Sequence, residues 1–265
     1  MKLSSIEVEK PWGRHQLPAP FHTLTEDGSK AIGEIWFEAS EKTLDLMIKY
    51  IFTSQKLSIQ VHPSDEQAQA LGLPSGKEEC WYILDAEPDA TLGIGTTRPL
   101  SSEELCAASL SGEIEQLMDW KSVSAGDFFY IPAGTVHAIG AGVSLIEIQQ
   151  NADITYRLYD YGRPRELHLD AGVAVSQARP YEDSLHRNFG VDALGTIVSG
   201  PKFNLHLCGS DISSIDGVGP HYIVPLQGPV ALGNDTVEPG ECLVSEYPLE
   251  LIPEPHSKMF VARAC

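Results

Sequence analysis

The sequence predicts a mainly-β protein, folded as a barrel or sandwich with a few short helices. Short apolar stretches recur at nearly regular spacing, and turns that contain glycine or proline separate them. This spacing is typical of antiparallel sheets and argues against a doubly wound parallel sheet. Two capping sequences interrupt the strands and predict the helices. The predicted strands cover residues 80–84, 128–131, 143–148, 155–158, 203–207, 222–226, 242–244 and 259–261.

Composition and charge limit the classes of function. With 265 residues, 42% of them apolar, the chain is long enough to bury the core of one large or two small domains. Its formal net charge of −19 repels nucleic acid and anionic lipid, so neither is expected as a partner. No segment resembles a membrane span or the apolar core of a signal peptide. The five scattered cysteines form no Cys-x-x-Cys pair, which fits a cytoplasmic location.

The region before residue 55 is expected to form short strands and turns. Residues 33–38 alternate between polar and apolar side chains as a strand does. Pro11-Trp12-Gly13 marks a turn. Trp12 and Trp36 are expected in the core, although both are also suited to line a cleft.

Two helices are predicted from capping boxes. Ser64 and Gln67 form such a box before a helix over 65–71, which a glycine ends. Residues 101–104 repeat the pattern before a longer helix that runs to about Met118. Both helices are therefore insertions between strands.

The stretch over residues 57–63 alternates as a strand and carries the first candidate for chemistry. Its apolar side chains are expected to enter the core, and its polar side chains share the opposite face. A glutamine and a histidine two residues apart lean over the same point, which favours a metal ion there. The alternative is a half-exposed edge strand with an isolated histidine. The apolar set is Leu57, Ile59 and Val61, and the polar set is Ser58, Gln60 and His62.

A second stretch, over residues 126–137, orients another histidine. Pro132 and Gly134 turn the chain tightly between two strands and so fix the direction of His137, as a metal ligand requires. The spacing resembles the second metal-binding motif of cupin barrels. In the first motif of those barrels, this chain has Gln60 in place of a histidine and a delayed carboxylate at Glu79.

With that alteration, the chain resembles the type I mannose-6-phosphate isomerases in their short bacterial form, a branch of the cupin superfamily. The resemblance covers roughly residues 10–170 and implies a cupin-type β-barrel, or jelly-roll. It is carried by four segments in the family's order, with Pro11-Trp12-Gly13 and residues 33–36 also fitting. These segments are residues 57–63, 76–82, 126–140 and 148–161.

The resemblance implies a zinc-dependent isomerase that interconverts mannose 6-phosphate and fructose 6-phosphate, with one Zn²⁺ per chain. Other divalent transition metals also suit such ligands. The matching positions are His62, Glu79 and His137 as metal ligands, Gln60 as a fourth ligand, Arg157 and Lys77 as catalytic residues, and Ser58, Lys77 and Arg157 as substrate-binding residues.

These residues suit the reaction that the resemblance implies. Two imidazoles, a carboxylate and an amide oxygen hold Zn²⁺ and leave a position open. Aldose–ketose isomerisation develops an enediolate, which a metal and the permanently charged Arg157 stabilise. The sequence leaves the base open between hydroxide on the metal, Lys77 with a lowered pKa, Glu147 and another carboxylate. Strand alternation places Glu147, Gln149, Asn151, Asp153, Thr155 and Arg157 on one face.

The chain is expected to contain two related β modules. Residues 123–132 and 237–244 share a V-x-x-G-[DE] opening, but the second copy leads to no histidine. We therefore predict a catalytic domain over residues 1–175 and a degenerate cupin-like domain over residues 176–265. Arg163 and Arg165 are expected to form surface ion pairs with neighbouring acidic residues.

Two other functions compete with the isomerase. A metal-dependent cupin oxygenase is expected to lack Arg157 and the displaced Glu79. A non-catalytic sugar-binding cupin is expected to lack one or more ligands, and here all four candidates are present.

Overall fold

The computed structural model describes residues 1–25, 28–40, 42–190, 193–213, 215, 218–247 and 250–265. The protein is mainly β, as the sequence predicts. The first eleven strands are β1 (Ser4–Arg14), β2 (Ile32–Glu38), β3 (Leu46–Phe52), β4 (Ile59–Val61), β5 (Glu79–Ala86), β6 (Thr91–Thr96), β7 (Met118–Ser122), β8 (Asp127–Ile131), β9 (His137–Ile139), β10 (Val143–Gln150) and β11 (Tyr156–Tyr159).

The remaining strands follow a short helical segment. They are β12 (His186–Asn188), β13 (Gly195–Ser199), β14 (Phe203–Cys208), β15 (His221–Gln227), β16 (Val230–Leu232), β17 (Asp235–Val237), β18 (Leu243–Ser245), β19 (Leu251–Pro253) and β20 (Lys258–Ala264). The helices are α1 (Asp65–Gln69), α2 (Ser102–Ser111), α3 (Ile114–Leu117) and α4 (Leu169–Val175), with 3₁₀ turns at Phe21–Thr25 and Asp183–Leu185.

The strands form four antiparallel sheets. A seven-stranded sheet has the order β1-β2-β3-β10-β5-β8-β12, and a five-stranded sheet faces it with the order β11-β4-β9-β6-β7. The C-terminal sheets, of β13 to β20, have the orders β13-β14-β20-β15-β18 and β17-β16-β19. All the recorded strand pairings within the sheets are antiparallel, in agreement with the predicted sheet type.

Each face of the seven-stranded sheet belongs to a different core. Because side chains alternate along a strand, neighbouring residues enter opposite layers. One face packs against the C-terminal sheets, where Tyr82 contacts Phe260 edge-on at 4.9 Å between ring centroids. The other face turns toward the five-stranded sheet and contributes Trp81 and Ile83 to a second cluster with Leu92.

The first predicted helix forms, but the second is shorter than predicted. At α1, the side chain of Ser64 accepts the amide of Gln67, and the Gln67 side chain accepts the amide of Ser64. The predicted single helix from Ser102 to Met118 is wrong, because Gly112 adopts a left-handed conformation with φ of 81° and ends α2. A glycine favours this conformation at the end of a helix. The chain resumes as α3, and Met118 already begins β7.

Most of the predicted strands are found with bounds shifted by one or two residues. The strand predicted over residues 57–63 is an exception, since β4 contains only Ile59–Val61. Strand β12 pairs with β8 and so extends the first sheet as far as Asn188. The division of the chain at residue 175 stays a prediction. No helix in the described part of the chain is long and apolar enough to cross a membrane.

Candidate active site

Two histidines and a carboxylate meet between the seven-stranded and five-stranded sheets. His62 follows β4, Glu79 begins β5, and His137 begins β9. One ligand atom from each residue lies within 4.8 Å of the other two. Glu79 Oε2 is 3.6 Å from His62 Nε2, and Glu79 Oε1 is 3.5 Å from His137 Nε2. All three residues are buried.

The histidines are held with their Nε2 atoms toward Glu79. His62 Nδ1 donates to the carbonyl of Ile154 at 2.8 Å, and His137 Nδ1 donates to the carbonyl of Thr135 at 2.9 Å. Since a carbonyl only accepts, each Nδ1 carries the proton and each Nε2 keeps its lone pair. Burial lowers the pKa of His137 to about 4 and the pKa of His62 well below its usual value. Both imidazoles are therefore neutral, as metal ligation requires.

Glu79 has the environment expected of a metal-binding carboxylate, since it is buried and has few hydrogen bonds. Its side chain is fully buried, and burial together with the nearby Glu147 raises its pKa to about 7. Among the described residues, neither of its oxygens accepts a well-aligned hydrogen bond, although Lys77 Nζ lies 2.8 Å from Oε2. A buried carboxylate with so few hydrogen bonds is costly and points to a further cationic partner. Two imidazole nitrogens and a carboxylate oxygen suit Zn²⁺.

Strand register brings the remaining predicted residues beside this cluster. In the five-stranded sheet, Arg157 of β11 lies opposite Gln60 of β4, and Gln60 lies opposite His137 of β9. Directly opposed residues place their side chains about 5 Å apart on the same face. The predicted arginine, glutamine and histidine therefore form one row across three strands.

The Gln60 amide is turned differently from the prediction. Its Nε2 atom lies 3.3 Å from His137 Nε2, and its Oε1 atom accepts a hydrogen bond from Ser58 Oγ at 3.1 Å. The amide nitrogen thus faces the cluster, whereas a metal ligand needs the oxygen there. A half-turn of the amide exchanges the two atoms without moving the strand.

A cavity of about 260 Å³ opens beside the cluster. Basic, acidic and neutral polar groups line it, with two tryptophans in its wall as the sequence allowed. Such a lining suits a small polar ligand that carries charge. The lining residues are Lys10, Trp12, Glu34, Trp36, Ile51, Leu57, Ser58, Gln60, Lys77, Ile139, Glu147, Asp153, Thr155, Arg157 and Arg165.

Buried ion pairs connect the cavity to the cluster. Glu147 Oε1 lies 3.3 Å from Lys49 Nζ and 3.8 Å from Lys77 Nζ, and Trp81 donates to Glu147 Oε2 at 3.0 Å. Although burial alone raises the pKa of Glu147, the two lysines lower it to about 2. Although burial alone lowers the pKa of Lys77, Glu147 and Glu79 raise it above its usual value. The charges around Lys77 therefore do not favour a lowered pKa for Lys77, which was one of the options for the base.

Arg157 lies in the cavity wall with its guanidinium partly engaged. Its Nη1 atom donates to the carbonyl of Glu166 at 2.7 Å, and its backbone N–H donates to His168 Nδ1 at 3.2 Å. Its Nε atom is buried and has no hydrogen-bond partner within the described residues. Burial and the neighbouring Arg165 lower the pKa of Arg157, which still leaves it cationic at neutral pH.

The predicted ion pairs of Arg163 and Arg165 form with Asp160, but their predicted location on the surface is wrong. Their partner, Asp160, is only 2% exposed. Arg165 Nε lies 2.6 Å from Asp160 Oδ2, Arg163 Nη2 lies 2.7 Å from Oδ1, and Arg165 also lines the cavity. The buried carboxylate thus fixes a cationic wall of the cavity.

The predicted shared face from Glu147 to Arg157 holds only in part. Glu147, Asp153, Thr155 and Arg157 all line the cavity. Asn151 does not, because it donates to the carbonyl of Leu44 at 2.6 Å outside the cavity. The chain leaves the extended conformation between β10 and β11, so strict alternation ends there.

Sequence reasoning missed Lys49, Glu34 and Lys10. Lys49 is buried and interrupts the apolar run Leu46–Phe52, which was the signal that could have identified it. A charge inside a buried strand needs a charged partner. Glu34 accepts a hydrogen bond from Trp36 Nε1 at 2.5 Å and lies 3.3 Å from Lys10 Nζ.

Comparisons with known proteins agree with this fold. No protein-family model matches the chain. The crystal structure of mannose 6-phosphate isomerase from Bacillus subtilis matches with a TM-score of 0.73 at 23% identity, over 99% of this chain and 98% of that one. A zinc-bound mannose 6-phosphate isomerase structure matches with a TM-score of 0.67 at 13% identity, over 99% and 98% of the two chains. The cupin-type fold is therefore the one observed.

Sequence similarity goes further than the fold. Mannose-6-phosphate isomerase ManA of Bacillus subtilis is 38% identical to this chain over 234 residues, which cover 76% of this chain and 74% of the relative. Similarity of that extent is not limited to one motif or one sheet. On this evidence, the chain belongs to the mannose-6-phosphate isomerase family.

Proposed function

We propose that this protein is a zinc-dependent aldose–ketose isomerase that interconverts mannose 6-phosphate and fructose 6-phosphate. One observation carries the proposal: a His–Glu–His cluster adjoins a cavity whose lining includes Lys77, Arg157 and Glu147. Family membership independently favours the same reaction. The substrate is a small sugar phosphate.

His62, Glu79 and His137 are the proposed metal ligands, and Gln60 is a fourth ligand once its amide oxygen faces the cluster. The two imidazoles are neutral and aimed by backbone carbonyls, so they bind without prior deprotonation. When bound, zinc supplies Lewis acidity that favours negative charge on a sugar oxygen. The zinc-bound relative supports the choice of this metal.

Lys77 and Arg157 are the proposed catalytic cations. Isomerisation removes a proton from the carbon beside a carbonyl, and the resulting enediolate carries negative charge on oxygen. Lys77 is a buried ammonium, and Arg157 lies in the cavity wall with an Nε atom that no group in the described residues engages. Fixed cations in a dry site stabilise such charge by several kcal/mol. Ser58, at the same cavity, adds a hydroxyl that binds substrate with Lys77 and Arg157.

Glu147 is the proposed proton carrier between the two carbons. Among the described residues, three carboxylates line the cavity: Glu34, Asp153 and Glu147. Of these three, only Glu147 forms an ion pair with Lys77, and Asp153 is exposed. Glu147 is buried beside Lys77 and is ionised at neutral pH. Its two lysine neighbours lower its basicity, so we expect it to act together with the oxygen-stabilising cations.

A coupled assay tests the function. Purified protein is given mannose 6-phosphate, and fructose 6-phosphate is detected before chelation, after chelation and after zinc is restored. We expect turnover that is lost with the chelator and regained with zinc. Sugar-phosphate binding without chelator-sensitive turnover would instead identify a non-catalytic binding protein.

A further inference from the structure

Lys202, in the C-terminal sheets, contacts the start of α1 near the candidate active site. It lies in the turn between β13 and β14, and its Nζ atom is 2.5 Å from Asp65 Oδ2 at the start of α1. The two side chains are 24% and 29% exposed, so this pair is partly shielded from solvent. Shielding makes such a pair more effective than one on the open surface.

Asp65 uses its other oxygen to hold the segment that leads into the site. Asp65 Oδ1 accepts hydrogen bonds from the backbone N–H of Gly76 at 2.8 Å and from Gln150 Nε2 at 3.0 Å. Gln150 in turn accepts the backbone N–H of Glu78 at 3.0 Å through its own Oε1. One carboxylate therefore joins the turn before Lys77 to the end of β10.

The turn at Gly76 is tightly packed and has no room for a side chain. A β-carbon placed on Gly76 would lie 2.4 Å from the carbonyl oxygen of Pro63. The next residue, Lys77, donates its backbone N–H to the same carbonyl at 3.0 Å. Residues 76–78 are thus packed directly against the segment that follows His62. Any shift of this turn moves the backbone that carries Lys77 and Glu79.

We propose that Lys202 is a positioning residue for the active site, acting through Asp65 on the turn that carries Lys77. The proposal rests on the proposed isomerase function for its kinetic consequence. It gives the C-terminal sheets a part in catalysis, although the described residues of those sheets line neither the cavity nor the histidine cluster. Displacement of a catalytic group by a fraction of an ångström is enough to slow turnover several-fold.

Steady-state kinetics of Lys202→Met, assayed with zinc bound, test the proposal. The matched control is Lys42→Met, which removes another ion pair to the C-terminal part of the chain, from Lys42 Nζ to Glu246 Oε1 at 2.8 Å. We expect kcat to fall about tenfold in Lys202→Met and to stay within about twofold in Lys42→Met. Zinc content should stay at one per chain in both. Lys202→Arg, which keeps the charge, should recover most of the lost kcat.

Amide hydrogen exchange gives a readout that does not depend on turnover. The Gly76 N–H should exchange faster in Lys202→Met than in wild type, and Lys42→Met should leave it unchanged. Asp65→Asn should slow turnover to a similar degree, and the double variant with Lys202→Met should add little, because both changes break one chain of contacts.

The outcomes separate the two proposals. If wild-type protein fails to isomerise mannose 6-phosphate but Gly76 exchange still responds to Lys202→Met, the function fails and the positioning contact stands. If Lys202→Met keeps wild-type kcat and wild-type Gly76 exchange, the positioning role is overturned. Equal losses in Lys202→Met and Lys42→Met, or full additivity with Asp65→Asn, would also overturn it.

Discussion

The two faces of the seven-stranded sheet differ in the charge that they bury. Toward the C-terminal sheets, the face contributes side chains such as Cys80, Tyr82 and Ile148 to an apolar layer. Toward the five-stranded sheet, the residues between them, such as Glu79 and Glu147, are buried with their charges. Alternation along β5 and β10 thus confines these charged residues to one face, where apolar residues such as Trp81 and Ile83 also pack.

This difference has an energetic consequence. The apolar layer gains free energy from burial itself. The charged residues of the other face gain little, since burying charges costs desolvation energy that paired neighbours only partly return. On this face, Lys49, Glu147 and Lys77 instead set the charge around the site. The following variants test that division, ranked by the free energy expected to be lost.

His62→Ala should remove metal and activity together. Loss of one of the three clustered ligands leaves two, and we expect turnover to fall by about 10³-fold or more, equivalent to about 4 kcal/mol. Metal analysis and the coupled assay measure the two effects on the same sample. Cys80→Ala, on the opposite face of the sheet, is the control and should keep its zinc. A His62→Ala protein that binds one zinc per chain and turns over normally would contradict the ligand assignment.

Phe260→Ala should damage only the apolar face. Phe260 is fully buried against Tyr82, and truncating a buried aromatic residue costs about 3–5 kcal/mol of unfolding free energy. Denaturant unfolding measures this loss, and Phe260→Leu should cost less. The kcat of the folded fraction should stay within about twofold of wild type. A kcat that falls in parallel with stability would show that the two faces are not independent.

Arg157→Ala should keep metal but slow turnover. Because the guanidinium lies in the cavity wall and outside the His–Glu–His cluster, we expect unchanged zinc content and a fall in kcat of about 10²-fold, or about 3 kcal/mol. Arg157→Lys should recover little, since an ammonium does not reproduce the planar fork. Normal rates in Arg157→Ala would remove its assigned role.

Removal of the metal should make stability depend on pH through Glu79. In the metal-free protein, burial raises the pKa of Glu79 to about 7 from a usual value of 4.5. The folded state then binds the proton more tightly, so stability is greatest below about pH 4.5 and falls by up to about 3 kcal/mol as pH rises through 7. Thermal unfolding of chelated protein at pH 5 and pH 8 measures this. Glu79→Gln should abolish that part of the dependence, and added zinc should stabilise wild type more at pH 8.

The local sequence was enough to predict the cluster but not its surroundings. His62 and His137 each lie in a stretch whose alternation or turn residues fix the side-chain direction, and Glu79 follows from the family pattern. Lys49 was missed because its burial depends on pairing with Glu147 of β10, a strand distant in sequence. Strand register between distant segments is set by the whole sheet and is not visible in either segment alone.

The two errors differ in origin. Arg165 and Asp160 have the composition of a surface loop, and only the packing of that loop buries Asp160 at 2% exposure. The end of α2 at Gly112 was available from the sequence, because glycine commonly ends a helix in this way. It was overlooked because apolar residues continue on both sides of it.

The shared apolar layer also limits the order in which the molecule can fold. Its partners on β14, β15 and β20, such as Phe203, Tyr222 and Phe260, emerge from the ribosome after every strand of the seven-stranded sheet. Until then, the apolar face of the seven-stranded sheet is exposed on the nascent chain and is prone to aggregate. Deleting the last third of the chain should therefore yield insoluble protein and not a smaller enzyme.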